Sequence, residues 1–528
     1  MREPRNPFTI RGLCLGAAAL LSGAALNARI PLRYDRYESL NLWNAGRNEA
    51  GIRLRGDTLS VRYANSYAEV YGGWTGGGFR ESWEAPSCWH AGATARTVVH
   101  LPELSMRGSF SFDQRQGRNM SGSMFIHPGL YPVDMLEFTP GTKTLQTYSM
   151  KGGIAVPAGG GWTLGARLEF TSANYSKRKD IRHTNYALDL SVLPSVTWRS
   201  GGWTTGLSLL VRKTGESIKA EQIGTAAAAS YYAFLDKGLG YGVREVWDGS
   251  GVHLNEAGVN RFPVKEHVWG AAAQVQRSFG GVLSAYAEAE YVRSAGTIGE
   301  RGFLWYRFPG KEISFRIGGI RRRRKATHIL TLSGRWQDQT NHEYVTEKIS
   351  EGGVTTPRRY GSNRIFQRRR FGGQLRYRLD SELWEADARA EWTLVRMRSS
   401  LVYPHSVTFE ARPLCGEAGL LRHLGNVSLG AGGEFACPAK PVREIRTGDG
   451  AVTAPPSRLQ EEFEIRKDRA FGPLLGGNLS VRYDFSRGPL AGLYGLARVS
   501  LLYGPGWSHS GGKNRTAAVL KIGYSFGN

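Results

Sequence analysis

The chain is poor in cysteine, and it has no long apolar run beyond its N-terminus. It contains 4 cysteines in 528 residues. A disulfide framework needs several pairs of cysteines, so the sequence excludes a small disulfide-stabilised domain. A helix that crosses a membrane needs about 20 consecutive apolar residues, and no stretch after residue 28 comes close. The main part of the chain is therefore predicted to have no membrane-spanning helix.

Local motifs of common enzymes are also missing. The sequence contains no His-Glu-x-x-His zinc motif, no phosphate-binding loop and no Cys-x-x-Cys pair. Each of these motifs places a reactive or ligating side chain at a fixed spacing, and that spacing does not occur here. We therefore predict no enzyme activity, no cofactor and no metal.

Acidic residues are fewer than basic ones, whereas glycine and aromatic residues are frequent. The 45 acidic and 69 basic residues give a net charge of +24, and the chain has 69 glycines and 11% aromatic residues. The mean hydropathy of −0.35 is too polar for a helical membrane protein, and the aromatic content is too high for a disordered chain. The basic residues are spread among acidic ones along the chain, so a nucleic-acid partner is not predicted.

The first residues have the layout of a secretory signal peptide. Arg2, Arg5 and Arg11 precede the uncharged apolar run 13–25, and small residues follow it. The alternative is a buried N-terminal helix, which would show polar residues at helical spacing on one face. We assign residues 1–28 to the signal peptide.

Apolar and polar residues alternate through most of the remaining chain, which is typical of β-strands. In one such run Leu164 and Leu168 alternate with Arg167 and Glu169. Tight glycine-rich turns and long polar loops join the runs in strict alternation. A run length near ten residues and this asymmetry of the connections indicate a transmembrane β-barrel with short periplasmic turns and long external loops.

The number of runs predicts an all-β fold, a single antiparallel transmembrane β-barrel of about 16 to 18 strands, with 14 as the alternative. Residues 59–528 would form the barrel, and residues 29–58 would form an N-terminal segment that could lie in the lumen. A barrel of this size has room for water inside it. A soluble secreted β protein is the alternative fold.

The last run of the chain ends on an aromatic residue. Leu520, Ile522, Tyr524 and Phe526 alternate with small and polar residues, and two residues follow Phe526. The run resembles the closing strand of Gram-negative outer-membrane barrels, which ends on its aromatic residue. The resemblance implies a location in the outer membrane among lipid and lipopolysaccharide. It also implies that the barrel-assembly machinery binds this C-terminal strand.

Two further segments, 40–52 and 179–185, resemble an uncharacterised family of large Gram-negative outer-membrane β-barrel proteins. This family has no established activity to carry over. Asn48, Glu49 and Ala50 are also similar to the Asn-Pro-Ala hatch segment of long-chain fatty-acid transporters, with glutamate in place of proline. That resemblance implies a small hatch in the lumen. The segment is too short for the plug domain of TonB-dependent transporters.

A charged hairpin around Ser381 supplies the candidate lumen residues. If its aromatic and apolar residues face lipid, its charged residues face inward, because an arginine facing lipid at mid-membrane costs about 2–4 kcal/mol. The lumen-lining candidates are Arg368, Arg370, Arg376, Arg378, Glu385, Asp387, Arg389 and Glu391.

Two interpretations of this hairpin stay open. A two-residue turn would place Arg378 opposite Glu385 and Arg376 opposite Asp387, and such pairs stiffen a barrel wall. The same residues could instead form a path for a substrate. A net basic lumen would favour anions, because fixed charge concentrates ions of the opposite sign.

The cysteines suggest one cross-strand contact. Cys415 and Cys437 lie on consecutive runs at similar distances from the turn at Gly425, so they are candidates for a disulfide near the external rim, where the compartment permits one. Cys88 has no predicted partner.

These observations predict an outer-membrane β-barrel channel or transporter, a porin in the broad sense, for small polar, anionic solutes or a specific substrate. The alternative is a closed barrel that acts as a binding or assembly partner through its external loops, for example with another outer-membrane protein. The long loops 215–263 and 440–472 distinguish the two. Loops that fold into the lumen favour gating, and loops that pack outside it favour binding.

Overall fold

The computed structural model describes residue 34 and residues 41–58, 63–179, 181–221, 232–239, 242–246, 261–300, 303–352, 354–400, 405–439, 441–446, 457–509 and 511–527. The predicted signal peptide lies outside these residues. No helix in these ranges is long and apolar enough to cross a membrane.

The chain folds into one antiparallel sheet of 22 strands. In chain order the strands are β1 (Tyr63–Gly77), β2 (Ser87–His100), β3 (Ser105–Ser123), β4 (Asp134–Gly159), β5 (Trp162–Lys177), β6 (Arg182–Ser200), β7 (Trp203–Glu221), β8 (Tyr232–Asp236), β9 (Gly242–Val246), β10 (Arg261–Phe279), β11 (Leu283–Glu300), β12 (Phe303–Arg322), β13 (Ala326–Glu351), β14 (Val354–Ser381), β15 (Trp384–Ser399), β16 (Ser406–Ala411), β17 (Leu414–Leu424), β18 (Val427–Cys437), β19 (Val442–Arg446), β20 (Leu474–Asp484), β21 (Leu493–Tyr503) and β22 (Asn514–Gly527). The described residues also contain the helix α1 (Ser457–Phe471) and three 3-10 helices, Leu42–Ala45, Glu49–Thr58 and Gly488–Leu490.

Eighteen of these strands close into a barrel. Each pairs with its neighbour along the chain, and β22 returns to β1, with Asn65 opposite Gly527 and Gly77 opposite Arg515. The four short strands β8, β9, β16 and β19 are added where β4 begins and β15 ends. Closure leaves the wall without a free strand edge. The predicted single antiparallel barrel is confirmed, at the upper end of the predicted strand number.

The two ends of the barrel differ in the length of their connections. At one end, hereafter the turn end, β6 joins β7 and β17 joins β18 through two-residue turns. Gly201 (φ 57°) and Gly425 (φ 62°) take up a left-handed conformation there, which glycine adopts without strain. At the other end, the loop end, the connections are long and hold α1 and the short strands.

The outer face of the wall is apolar and is bordered by aromatic residues. Leu168 is half exposed on this face. Near the turn end Trp162 packs beside Trp198, with ring centroids 6.2 Å apart, and toward the loop end Trp269 packs beside Tyr291 at 5.9 Å. An apolar band between two aromatic rows is the pattern of a barrel wall that faces lipid.

Two strand boundaries differ from the runs of alternation in the sequence. The sequence shows separate runs at 105–115 and 118–127, but they form the single strand β3 as far as Ser123. The sequence shows one run at 406–422, but it is divided into β16 and β17. Pro413, just before β17, cannot donate to a strand ladder, so the ladder is interrupted there, although β16 continues along β15 in the same register as β17 and pairs on its other side with β19.

Candidate functional site

Residues 41–58, hereafter the N-terminal segment, lie against the inner face of the barrel wall. The indole Nε1 of Trp43 donates to Oε1 of Gln276 at 2.6 Å, and its ring meets Tyr286 edge-on at 5.4 Å. The side-chain Nδ2 of Asn48 donates to Oε1 of Gln274 and to the carbonyl of Val196, both at 3.1 Å. The segment therefore binds the wall through side-chain contacts to β6, β10 and β11.

A buried glutamate fixes the same segment to two further strands, β3 and β5. Glu49 is fully buried, and its Oε2 accepts hydrogen bonds from Nη2 (2.5 Å) and Nε (3.0 Å) of Arg107 on β3. Arg167 on β5 approaches the same oxygen at 3.7 Å. Arg47 forms a salt bridge with Glu290 on β11 at 2.6 Å. Removing one partner of a buried ion pair leaves the other charge uncompensated at a cost of about 3–5 kcal/mol.

Inward-facing glycines allow the segment to come this close. A Cβ atom at Gly206 would lie 2.6 Å from Nδ2 of Asn48, and one at Gly165 would overlap the backbone of Ala50. Real Cβ atoms do not tolerate such distances. The wall is thus shaped for the N-terminal segment at β5 and β7.

The loop end is closed by apolar side chains. We call the elements that close it the lid: residues 124–133, residues 232–239 and α1. Their buried apolar residues pack against inward-facing residues of the wall in one cluster. The cluster contains Met124, Phe125, Tyr131, Val133, Met135, Ile181, Ile218, Ala220, Ala233, Leu235, Leu239, Phe262, Val264, Ile298, Trp305, Tyr306, Phe308, Ile365, Phe366, Val407, Phe409 and Ala411. Burial raises the pKa of the Tyr131 phenol above its usual range, so the group stays neutral within the cluster.

Arg368 on β14 holds the first element of the lid. Its Nη1 donates to the carbonyl of Gly129 at 2.6 Å, and its Nη2 donates to the carbonyl of Leu130 at 3.2 Å and to Oε1 of Gln339 at 2.6 Å. Eight of the eighteen strand-to-strand steps separate β14 from β4, so β14 lies nearly opposite the wall from which the loop starts. Residues 124–133 therefore cross the lumen.

The near end of this loop is tied to its own wall by a buried polar network. Oε1 of Glu216 on β7 accepts hydrogen bonds from the backbone N–H of Ile126 (2.9 Å) and from Nδ2 of Asn185 (2.7 Å). Asn185 also donates to the carbonyl of Met124 at 2.6 Å. The loop is thus fixed at both sides of the lumen.

Helix α1 covers the remaining part of the loop end. Phe471 packs on Phe409 of β16, with ring centroids 5.1 Å apart. Arg466 forms a salt bridge with Asp134 at 3.2 Å and lies over the ring of Trp83 at 4.5 Å. The described parts of both long loops therefore pack over the barrel mouth and into it.

A polar chamber of about 690 Å³ lies between the N-terminal segment and the lid, and is lined by Arg47 of the former and Ala470 of the latter. Three ion pairs face it and neutralise one another: Arg47 with Glu290 at 2.6 Å, Arg316 with Glu288 at 2.5 Å and Arg335 with Glu312 at 2.5 Å. Arg370 and Glu391 line the same chamber. Among the described residues, neither of these two forms a salt bridge.

The structure separates the predicted lumen residues into groups. Five of them are bound along the wall: Arg376 and Arg378 form ion pairs with Asp387 at 2.7 and 2.5 Å, Arg389 forms one with Glu417 at 3.1 Å, and Glu385 is hydrogen-bonded to His423 at 3.0 Å. Arg368 binds the lid, and Arg370 and Glu391 face the chamber. The sequence pattern brought these residues together without distinguishing the three groups.

The predicted register of this hairpin is wrong by two residues. Arg378 lies opposite Asp387, and Arg376 lies opposite Arg389. Oγ of Ser381 accepts a hydrogen bond from the backbone N–H of Trp384 at 3.0 Å, which widens the turn. Because the shift is an even number, every side chain keeps its predicted face.

The predicted Cys415–Cys437 disulfide is also wrong. Both cysteines are free, and Cys415 lies opposite Ala436 while Cys437 lies opposite Leu414. The predicted register was one residue away from this one. Since side chains alternate between faces, that single step puts Cys415 in the chamber lining and Cys437 on the outer face.

The sequence analysis named residues 29–58 as a possible lumenal segment but did not identify the contacts that hold it. Glu49 was not paired with its arginines, and residues 124–133 were not predicted to enter the lumen. A signal was present in β7, where odd-numbered residues face outward and even-numbered residues face inward. The apolar residues Leu209 and Val211 face outward, whereas the buried apolar residues Ile218 and Ala220 face inward near the loop end. Apolar residues on the inner face at this end indicate that another element covers them.

Comparisons with known proteins give a family and a general shape. The sequence model of a family of unknown function (DUF6850) matches residues 58–526. Among curated proteins, none matches the chain. The ferric enterobactin receptor PfeA of Pseudomonas aeruginosa is similar in structure, with 9% identity, a TM-score of 0.40 and coverage of 87% of this chain and 80% of that one.

Two other solved structures are similar to the same extent. OccK9 (OpdG) of Pseudomonas aeruginosa has 11% identity and a TM-score of 0.33, with 88% of this chain and 98% of that one covered. The siderophore receptor PirA of Acinetobacter baumannii has 9% identity and a TM-score of 0.36, with 88% and 80% covered. TM-scores this low carry no argument about the function of this chain.

Proposed function

The chain belongs to DUF6850, a family of unknown function, and we propose that it forms a gated outer-membrane channel or transporter for small polar solutes, with anions favoured. The observation that carries the proposal is the crossing of the lumen by residues 124–133, which Arg368 binds on the far wall. A loop held in this way can move aside without rearranging the wall, as loops that gate access to a site do.

Two arginines support a preference for anions. Arg368 and Arg370 are neighbours on the inner face of β14, and among the described residues neither forms a salt bridge with a carboxylate. Uncompensated positive charge inside a narrow passage raises the local concentration of anions.

The outer band of apolar and aromatic residues supports placement in an outer membrane, with the turn end toward the periplasm and the loop end toward the exterior. In this placement lipid surrounds the band, and lipopolysaccharide meets the basic residues of the external rim. The barrel-assembly machinery would bind β22, which closes the barrel against β1. The working part is then a passage through the membrane, which needs no catalytic group.

Single-channel recording tests this function. The purified protein, refolded in detergent, is inserted into a planar bilayer under a salt gradient. We expect brief openings from a closed baseline and a reversal potential of the sign that anion selectivity gives. Steady conductance without closures would contradict gating, and a reversal potential on the cation side would contradict the anion preference.

The projecting hairpin of β13 and β14 favours the alternative function as a binding partner. These strands have 26 and 28 residues, far more than their neighbour β15 with 16. Tyr360 is exposed on the projecting part and accepts the guanidinium of Arg358 over its ring at 5.4 Å. A protein that inserts into bilayers yet never conducts, even after its lid is released by mutation, would favour this alternative over transport.

A further inference from the structure

Among the residues that the structure describes, the charges that line the chamber are balanced at all but two positions. Three arginines are each within 2.6 Å of a glutamate. The strands β14 and β15 present Arg370 and Glu391 to the same space, and neither forms a salt bridge with a described residue. A cation and an anion of this kind in one chamber fit a solute that carries both charges.

Arg370 is suited to the anionic end of such a solute. Its side chain is exposed on the inner face of β14, two residues from Arg368. Arg368 donates to uncharged carbonyl oxygens, so its positive charge acts on Arg370, whereas Arg335 on β13 is paired with Glu312. A planar guanidinium in this position can bind a carboxylate through two parallel hydrogen bonds.

Glu391 is suited to the cationic end. Its Oε2 accepts a hydrogen bond from Nε2 of Gln374 at 3.3 Å, and its Oε1 accepts one from Oγ1 of Thr393 at 3.5 Å. These long bonds orient the carboxylate without neutralising it. An ammonium group could therefore bind Glu391 without breaking an existing ion pair.

The spacing of the two residues sets the length of the solute. Glu391 lies opposite Gln374, and Gln374 is four residues from Arg370 along β14, which amounts to about 13 Å. The inward position between them is Gly372, which carries no side chain into the chamber. An extended peptide of three residues spans about 10 Å, and the arginine side chain can cover the remainder.

From this arrangement we infer that the chamber binds a short peptide with free termini, its carboxylate on Arg370 and its ammonium group on Glu391. The inference rests on the proposed function, because it names the substrate class of the same passage. A chamber of about 690 Å³ has the size of ordinary small-molecule sites.

Isothermal titration calorimetry of the detergent-solubilised protein tests the inference with trialanine as the probe. N-acetyl-trialanine lacks the ammonium group, and trialanine amide lacks the carboxylate. We expect each blocked peptide to bind roughly tenfold more weakly than trialanine, as the loss of one charged hydrogen-bonded contact implies. Free alanine is too short to reach both residues and should therefore bind more weakly than trialanine. Equal binding of all four probes would overturn the inference.

Variants connect the probes to the residues. Arg370→Gln should weaken the binding of trialanine roughly tenfold and leave the binding of trialanine amide unchanged. Glu391→Gln should weaken the binding of trialanine by the same factor and leave the binding of N-acetyl-trialanine unchanged. Arg370→Lys keeps the charge and should recover part of the affinity. The exposed Arg369→Gln, on the opposite face of β14, and Glu382→Gln, at the turn, are matched controls. Heat-modifiable migration on a gel identifies any variant that has not folded.

The calorimetry separates this inference from the proposed function. If the protein conducts anions but binds trialanine no better than its blocked forms, the peptide site is wrong and the channel stands. If trialanine binds with the expected dependence on Arg370 and Glu391 while the bilayer stays silent, the binding site stands and the channel is wrong.

Discussion

The two elements that occupy the lumen differ in the balance of their contacts. The N-terminal segment is held largely by Glu49 with Arg107 and by Asn48, whereas the lid is held largely by a cluster of buried aliphatic and aromatic residues, to which Arg368 and Glu216 add hydrogen bonds. Apolar packing is insensitive to salt and costs several kcal/mol to open. Polar contacts can be exchanged for water or for a polar solute. The comparison therefore assigns the larger free-energy cost of opening to the lid, and the contacts that a solute can replace to the N-terminal segment.

The largest expected effect is on the packing of the lid. Phe308→Ala removes a fully buried ring that packs beside Tyr131, and should lower the free energy of unfolding by about 3–5 kcal/mol. Urea titration of the protein in lipid vesicles measures this change. Phe315→Ala, on the outer face of the same strand, is the matched control and should cost much less. Equal losses would mean that the lid is not a packed core.

The second effect concerns the buried ion pair of the N-terminal segment. Glu49→Gln leaves Arg107 without its carboxylate and should weaken the attachment of the segment by about 3 kcal/mol. Hydrogen exchange of residues 41–58 should become faster, while exchange in residues 124–133 stays the same. Glu103→Gln, in the exposed turn after β2, changes the charge equally and should have no effect.

A smaller effect is expected from filling the space below the segment. Gly165→Ala places a methyl group against the backbone of Ala50 and should destabilise the attachment by about 1–3 kcal/mol. Hydrogen exchange of the same residues measures it. At Gly152 an added Cβ meets no atom within 4 Å, so Gly152→Ala is the control. Unchanged exchange in Gly165→Ala would show that the segment does not rest on this part of the wall.

The smallest effect is that of salt. Ionic strength screens charged contacts and leaves apolar packing in place. Raising the salt concentration should therefore accelerate exchange modestly in residues 41–58 and not in residues 124–133. Exchange that accelerates more with salt in residues 124–133 than in residues 41–58 would contradict the proposed difference between the two elements.

The sequence predicts the barrel well because strand alternation is a local property. Leu164 and Leu168 point outward, and Arg167 points inward, for reasons contained in one run of residues. Closure of β22 on β1 also follows from the even number of strands. The boundary at Pro413 was harder, since the interruption of the ladder there divides a run that otherwise keeps one register along β15.

The site is less predictable because it depends on register and on loops. A two-residue error at Ser381 kept every side chain on its face, whereas a one-residue error at Gly425 moved Cys437 to the opposite face. The role of Arg368 depends on residues 129–130, more than 230 positions away. No local pattern reports such a contact.

The account depends most on the claim that residues 124–133 close the passage. Single-channel recording of Arg368→Gln tests it directly, because this change removes the hydrogen bonds that hold the loop on the far wall. The account predicts a much higher open probability than in the unchanged protein, and no increase for the exposed Arg369→Gln. Equal open probability in the unchanged protein and Arg368→Gln would contradict it.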